Sequence, residues 1–374
     1  MSTLHSPSGS STRMIELVTR LVTPVRTARR DGGRRPLPSA ASAPSDRERG
    51  DIRDVSTVSA DTPVDHDQND LDGWPKAVWC LVGPTATGKT SLAVELARIA
   101  PVEIISADSR MVYRWMDVGT AKPDEATRRF AAHHLVDVVD PDEAFPVVEW
   151  VARAKGAIRR VTARGKQPLL VGGTGLYLRA LCDGLDFPPV APDAPYRASL
   201  EARAARDGWQ SLLADLQEVD PASAATIDPK NVRRVIRALE VWRATGRPFS
   251  SWQVRTPPPF DNRWAGLDLP VEVHDAQITE RVAAQFEAGL LDEVASLRTR
   301  GFDPALAPLD GLAYREASQL LDGEVDRAEA IRRYAASTRQ YARRQRSWFR
   351  PDQRIRWFDA RDATAAGLLA HFTE

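Results

Sequence analysis

Eight consecutive residues, Gly83-Pro84-Thr85-Ala86-Thr87-Gly88-Lys89-Thr90, satisfy the pattern GxxxxGK[ST], and each position answers a requirement of phosphate binding. Gly83 and Gly88 let backbone N–H groups close around phosphate oxygens, and a helix start behind them adds its partial positive charge. Lys89 supplies a mobile full charge. The Thr90 hydroxyl is the expected Mg²⁺ ligand. The plain alternative is a glycine-rich turn that binds nothing, but the flanks oppose it. Ala77 to Val82 reads as a strand entering the loop, and Ser91 to Ile99 as a helix leaving it. A di- or triphosphate, ATP among the candidates, is the expected ligand.

Two further stretches could bring chemistry to the same place. Ser106-Ala107-Asp108-Ser109-Arg110-Met111 follows a second apolar run, so Asp108 sits at a strand end as a general base, a magnesium ligand or a helix cap. Leu170-Val171-Gly172-Gly173-Thr174-Gly175 follows a later run, where a phosphate-loop NTPase usually places the acid that holds its magnesium shell. Glycines and a threonine stand there instead, which weakens a kinase reading. They suggest that backbone approaches a ligand closely while Thr174 both donates and accepts.

The elements that must position these residues follow from the texture of the chain. Strand-like runs at 77–82, 102–106, 135–139 and 168–171 alternate with helical patterns at 91–99 and 147–162. Such alternation predicts an α/β fold of the P-loop NTPase type, a parallel sheet flanked by helices with ligands at the carboxyl ends of its strands. The expected organisation is a low-complexity extension over 1–73, the first part of the core over 74–190, a helical insertion over 191–258 and the rest of the core over 259–374. A last core strand is expected near 264–272, then helices from 276 to 350 and a short strand at 354–358.

Charge adds a second theme. Residues 331–350 hold seven arginines and no acidic residue. At about 100° per residue, Arg339, Arg343, Arg346 and Arg350 share one face, opposite Tyr334, Tyr341 and Trp348. In the insertion, Arg233 and Arg237 share a face of the stretch Arg233-Arg234-Val235-Ile236-Arg237. Guanidinium rows suit phosphate backbones, and two of them imply a ligand larger than a nucleotide, for which RNA is the natural choice.

Composition excludes several classes. Lys+Arg and Asp+Glu balance at 51 each over 374 residues, so net charge points to no partner. Only Cys80 and Cys182 are present, which excludes a disulfide framework and fits a reducing cytoplasm. No Cys/His pair shows zinc spacing, and no run approaches membrane-spanning length. Arg13 to Arg35 could be a transit peptide or a nucleic-acid-binding arm, with a lineage-specific tail or a later true start as the plainer readings.

GPTATGKT, SADSRMVYRWMDVGTAKP, HHLVDVVDP, LVGGTGLYLRAL, NVRRVIRALEV and STRQYARRQRSWFR occur in that order. Between about Pro75 and Trp357 the chain resembles the bacterial tRNA dimethylallyltransferases, also called tRNA isopentenyltransferases. The resemblance implies transfer of a dimethylallyl group from its diphosphate to N6 of the adenosine 3′ of the anticodon, by a monomer. It implies that Gly83 to Thr90, with Mg²⁺ on Thr90, hold the diphosphate, with Thr85 and Lys89 taking part in catalysis. By the same resemblance Asp108 is the general base, Arg281 lies near the diphosphate, and Thr174 lies beside the target adenine. Ser109, Arg110, Met111, Arg197, the stretch Arg233 to Arg237, Arg339 and Arg343 match positions that touch tRNA. Gln277, Gln285, Ala313 and Arg343 depart from residues usual in the family, Ala313 standing where Gly is common. The rival within reach is an adenylate isopentenyltransferase, which shares the donor site but needs neither arginine surface.

Overall fold

The computed structural model describes residues 73–252 and 254–374. The Arg-rich segment, and all of the low-complexity extension but Gly73, lie outside the described residues.

β1 (Ala77–Val82) runs through the glycine-rich loop into α1 (Lys89–Ile99), and β2 (Val102–Ser106) through a long loop into α2 (Glu125–Phe130) and β3 (His133–His134). Then α3 (Val147–Ala163) leads to β4 (Gln167–Gly172) and α4 (Gly175–Cys182). All pairings are parallel, in the order β3-β2-β4-β1-β5-β6. Both faces are covered, so the central strands are buried almost throughout. On β1 the alternation is clean. Val78, Cys80 and Val82 join Trp150 and Ile158 of α3 and Leu178 of α4 on one side, while Trp79 and Leu81 meet Leu92 and Leu96 of α1 on the other.

The insertion comprises α5 (Ala194–Asp207), α6 (Gln210–Val219), α7 (Pro221–Thr226) and α8 (Val232–Thr245), closed by a 3₁₀ turn at Phe249–Trp252. It has its own core around Leu212, Leu216, Val235 and Leu239. Its two connections to the sheet pair antiparallel through Leu185 and Arg255. The approach there is close enough that only glycine fits at 184, where φ is +60° and a Cβ would lie 1.6 Å from the Thr256 carbonyl oxygen.

β5 (Asp261–Asp268) returns the chain to the sheet. A second layer follows, built from α9 (Val271–Glu287), α10 (Leu290–Thr299), α11 (Tyr314–Leu321) and the 23-residue α12 (Arg327–Phe349). Ile278, Val282, Phe286, Leu290, Tyr314 and Tyr334 pack as its core. β6 (Ile355–Asp359) and α13 (Ala365–Thr373) complete the chain.

Three expectations are corrected. The apolar run 135–139 is not a strand, because Leu135 and Asp137 take φ of +62° and +56° and only Val139 pairs, in an isolated bridge with Tyr113. The strand expected at 264–272 starts at Asp261 and stops at Asp268, since Pro270 cannot donate to a ladder and instead precedes α9. The buried face of α12 is Tyr334, Ala335, Thr338, Ala342, Gln345 and Phe349. Residues spaced by seven drift about 20° per heptad on a straight helix, so the series Tyr334, Tyr341, Trp348 rotates off that face until Trp348 is 41% exposed.

Candidate active site

β2, β4 and β1 are neighbours, so Asp108, Thr174 and the phosphate loop emerge side by side at one edge of the sheet. Contact between these segments explains the glycines. A Cβ on Gly83 would meet the Leu267 carbonyl oxygen at 2.2 Å, one on Gly172 the Ala107 carbonyl oxygen at 2.2 Å, and one on Gly173 the Gln345 amide at 2.0 Å. The close approach inferred for Gly172 and Gly173 is therefore to other segments of the protein. The Thr174 N–H donates to the Ala107 carbonyl at 3.1 Å, and its hydroxyl oxygen accepts from the Ser109 N–H at 3.0 Å. Asp108 caps a turn and not a helix, its Oδ1 accepting from the Arg110 N–H at 2.8 Å, and helix resumes only at Glu125. Met111 lies under the strand end, its sulfur 3.9 Å from the Ser106 hydroxyl.

The phosphate loop is clamped from the second layer. Its Thr85 N–H donates to Gln345 Oε1 at 2.7 Å, and Gln345 Nε2 donates to the Gly173 carbonyl at 3.0 Å, so one amide ties two strand-end loops. His274 Nε2 donates to the Thr85 carbonyl at 2.8 Å while its Nδ1 accepts from Arg346 at 3.1 Å, which fixes a neutral ring. Burial pushes the His274 pKa down in agreement. Arg346 is also paired with Asp268 at 2.6 Å, so this member of the arginine stripe is used inside the protein. Arg281 reaches the Thr85 hydroxyl at 3.4 Å. Lys89 bonds the Pro84 carbonyl within its own loop, and Thr87 donates to the same oxygen at 2.9 Å. Burial first, then the adjacent Arg281 charge, pushes the Lys89 ammonium down to about 7, with Asp108 opposing.

Thr85, Asp108, Arg110, Arg281, Gln285 and Tyr341 line a narrow cavity of about 40 Å³. It lies between two wider openings. One, of about 470 Å³, shares Arg281 and Gln285 with it and is bordered by Lys122 and Arg128. The other, of about 560 Å³, shares Arg110, Leu312 and Tyr341 and is bordered by Tyr113, Tyr177, Arg315 and Arg344. Burial raises the Tyr341 phenol pKa, with the Asp108 charge adding to the effect. The loop flooring the first opening is held by Glu293, which accepts from the N–H groups of Asp117 at 2.8 Å, Val118 at 2.6 Å and Gly119 at 3.0 Å.

Gln345, His274 and Glu293 were not singled out from the sequence, and Tyr341 was read only as part of the aromatic face opposite the arginines. A signal existed for Gln345: with Thr338 it is a polar residue at the apolar period of an otherwise basic helix. Glu293, in an ordinary amphipathic pattern, had none.

The arginine surfaces divide in two. Arg233, Arg234 and Arg343 are exposed, and Arg339 reaches only the Thr279 hydroxyl, at 3.1 Å. Arg197 pairs with the buried Glu240 at 2.7 Å, and Arg237 donates to the Val190 carbonyl at 2.8 Å. Val235 and Ile236 are each 1% exposed and belong to the insertion core, which leaves Arg233 and Arg234 as the outward residues of that stretch.

Among the described residues no group of three His, Cys, Asp or Glu could cage a metal. The Thr90 hydroxyl, in the first turn of α1, suits Mg²⁺ that arrives with a diphosphate and keeps most of its water. No helix among the described residues is long and apolar enough to cross a membrane.

A family model described as IPP transferase matches residues 111–352, and one described as isopentenyl transferase matches residues 76–133. The tRNA dimethylallyltransferase of Roseiflexus castenholzii is 51% identical over 270 residues, covering 72% of this chain and 88% of that one. The chain belongs to the IPP transferase family. Solved structures agree on the fold of this prenyltransferase. The tRNA isopentenylpyrophosphate transferase of Bacillus halodurans superposes with a TM-score of 0.58 at 37% identity, over 79% of this chain and 94% of its own. A eukaryotic dimethylallyltransferase acting on tRNA gives 0.64 at 27% identity, over 79% and 78% of the two chains. The P-loop NTPase-like sheet expected from sequence is the one these enzymes share.

Proposed function

We propose that this prenyltransferase moves the dimethylallyl group of dimethylallyl diphosphate onto N6 of the adenosine 3′-adjacent to the anticodon in tRNA. The observation that carries the reading is the single narrow cavity in which Asp108, Thr85 and Arg281 meet, between two openings. The diphosphate enters beside Arg281 and lies on the N–H groups of the loop from Ala86 to Thr90, while an extruded adenine enters past Tyr113, Tyr177 and Tyr341. A stacked base could not present N6 to a recessed carboxylate, so extrusion is required.

N6 attacks C1 of the prenyl group as the bond from C1 to the diphosphate oxygen breaks, and the proton leaving N6 passes to Asp108. Charge developing on the leaving diphosphate falls on Lys89, Arg281 and the loop N–H groups, which are already oriented. Thr90 would hold a Mg²⁺ that arrives with the diphosphate, and the ion would supply further neutralisation of that charge. Thr174 positions Ser109 beside the base, and the exposed Arg233, Arg234 and Arg343, with the half-buried Arg339, take RNA phosphates.

The test is single-turnover transfer from labelled dimethylallyl diphosphate, with Mg²⁺, to an anticodon stem-loop bearing A at the target position, the same stem-loop bearing G, and free AMP. Label on the A-containing RNA alone is expected. Label on AMP would assign the free-nucleotide reaction, and no label anywhere would return the loop to ATP chemistry.

A further inference from the structure

Trp348 stands apart from the rest of α12. It is 41% exposed on a helix whose other large apolar side chains are buried or line the cavity, and its five-membered ring lies against the backbone of Gly175. A Cβ there would come within 2.0 Å of indole Cδ1 and Nε1, so residue 175 gives up a side chain to seat this ring. Arg179, one turn along α4, has its guanidinium 5.9 Å from the ring centroid. Leu176, beside Gly175, is also 41% exposed. Burying an indole halfway on a glycine and leaving the remainder in water stabilises the fold less than full burial would.

The location says what the open part is for. Arg344, one turn before Trp348, borders the 560 Å³ opening, and Tyr341, two turns before it, is shared by that opening and the Asp108 cavity. Seven residues of helix span about 10 Å, roughly three base-stacking distances. Thr174, beside Gly175, is bonded to Ser109 on the wall of the same opening. A base extruded past Tyr341 thus leaves its neighbours on the strand within reach of an aromatic plate flanked by Arg179 and Arg344.

We infer that Trp348 is a stacking platform for an unpaired nucleobase of the RNA loop, one flanking the base that enters the cavity. The inference rests on the tRNA reading above and adds a subsite to it. An indole fixed on one side by Gly175 offers π surface without sequence preference, and the two guanidiniums hold the adjoining phosphates. The site therefore senses that the loop strand is unstacked next to the target, a condition a free nucleotide cannot meet.

The test uses stem-loops carrying 2-aminopurine singly at each anticodon-loop position other than the target. Wild-type chain is expected to quench the fluorophore at one flanking position, and W348A to abolish that quenching while weakening RNA affinity about 10-fold. W348F is expected to keep much of both effects and to melt near the wild type, while W348A, which gives up the half-burial on Gly175, is expected to melt lower but stay folded at the assay temperature, so that W348F separates stacking from stability. Identical quenching profiles and affinities within two-fold for wild type and W348A would overturn the platform alone. Failure of the wild-type chain to bind any stem-loop would overturn the platform together with the tRNA reading.

Discussion

The strand-end crevice and the helical insertion use arginines and backbone in opposite ways. In the crevice, polar groups are held by residues far away in sequence: Gln345 bonds Thr85 and Gly173, His274 bonds Thr85, and Arg346 bonds Asp268 and His274. In the insertion, the inward arginines hold the domain together and Arg233 and Arg234 face solvent from one local helix face. The difference separates two tasks. Positioning a leaving group and a proton acceptor needs geometry fixed before the substrate arrives. Holding a polyanion needs mobile charge at the surface, where long side chains adapt to phosphates.

The largest expected effect comes from breaking the crevice at Asp108, the proposed proton acceptor. Asp108→Asn keeps an oxygen to accept from the Arg110 N–H, so the turn survives, but it cannot take the N6 proton. Single-turnover transfer is expected to fall about 10²–10⁴-fold with stem-loop affinity nearly unchanged. Weakened RNA binding with near-normal transfer would move Asp108 from the chemistry to the RNA surface and erase the contrast between the two regions.

That contrast also marks what could be read from the sequence. The phosphate loop, Asp108 and Thr174 were legible because each lies at the end of an apolar strand, where local pattern alone fixes position. The strands 77–82 and 102–106 were legible for the same reason, both being short buried runs. What the sequence hid is tertiary. Glu293 looks like any helix carboxylate until three N–H groups of a distant loop converge on it. Arg197 looks like a surface cation until Glu240 is found buried beneath it. The run 135–139 has strand composition, and only the left-handed turns at Leu135 and Asp137 remove it from the sheet. Ala313 was noted only as standing where glycine is common, and the structure gives the cost of that choice: φ of +72° at a fully buried residue.

A smaller effect sharpens the description of the crevice as prepared for charge. With Lys89 at about 7, against 10.5 for an ordinary lysine, the ligand-free fold binds fewer protons than the unfolded chain between those values. Its stability therefore rises with pH through that window. A diphosphate in the loop restores the ammonium, so binding takes up a proton there and affinity falls as pH rises through the same range. Calorimetric titration of dimethylallyl diphosphate without RNA at pH 8, in two buffers of different ionisation heat, is expected to show uptake of a large fraction of a proton. Lys89→Met is expected to remove that uptake. No uptake by the wild-type chain would mean that the lysine is already charged in the empty loop.

The smallest effects lie on the arginines, and there the comparison is sharpest because one residue type serves both tasks. Replacing Arg339 and Arg343 by Ala is expected to flatten the salt dependence of stem-loop binding by about one unit of log-log slope per lost phosphate contact, with melting temperature little changed. Arg233→Ala with Arg234→Ala is expected to behave alike from the insertion. Arg197→Ala should do the reverse. It leaves Glu240, whose side chain is 1% exposed, with the Asp193 N–H at 3.2 Å and Arg237 at 3.7 Å, and should destabilise the fold by about 1–3 kcal/mol with the salt slope unchanged. Should Arg197→Ala flatten the slope without lowering stability, the ion pair with Glu240 would be one that RNA opens, and the inward arginines would count among the RNA contacts after all.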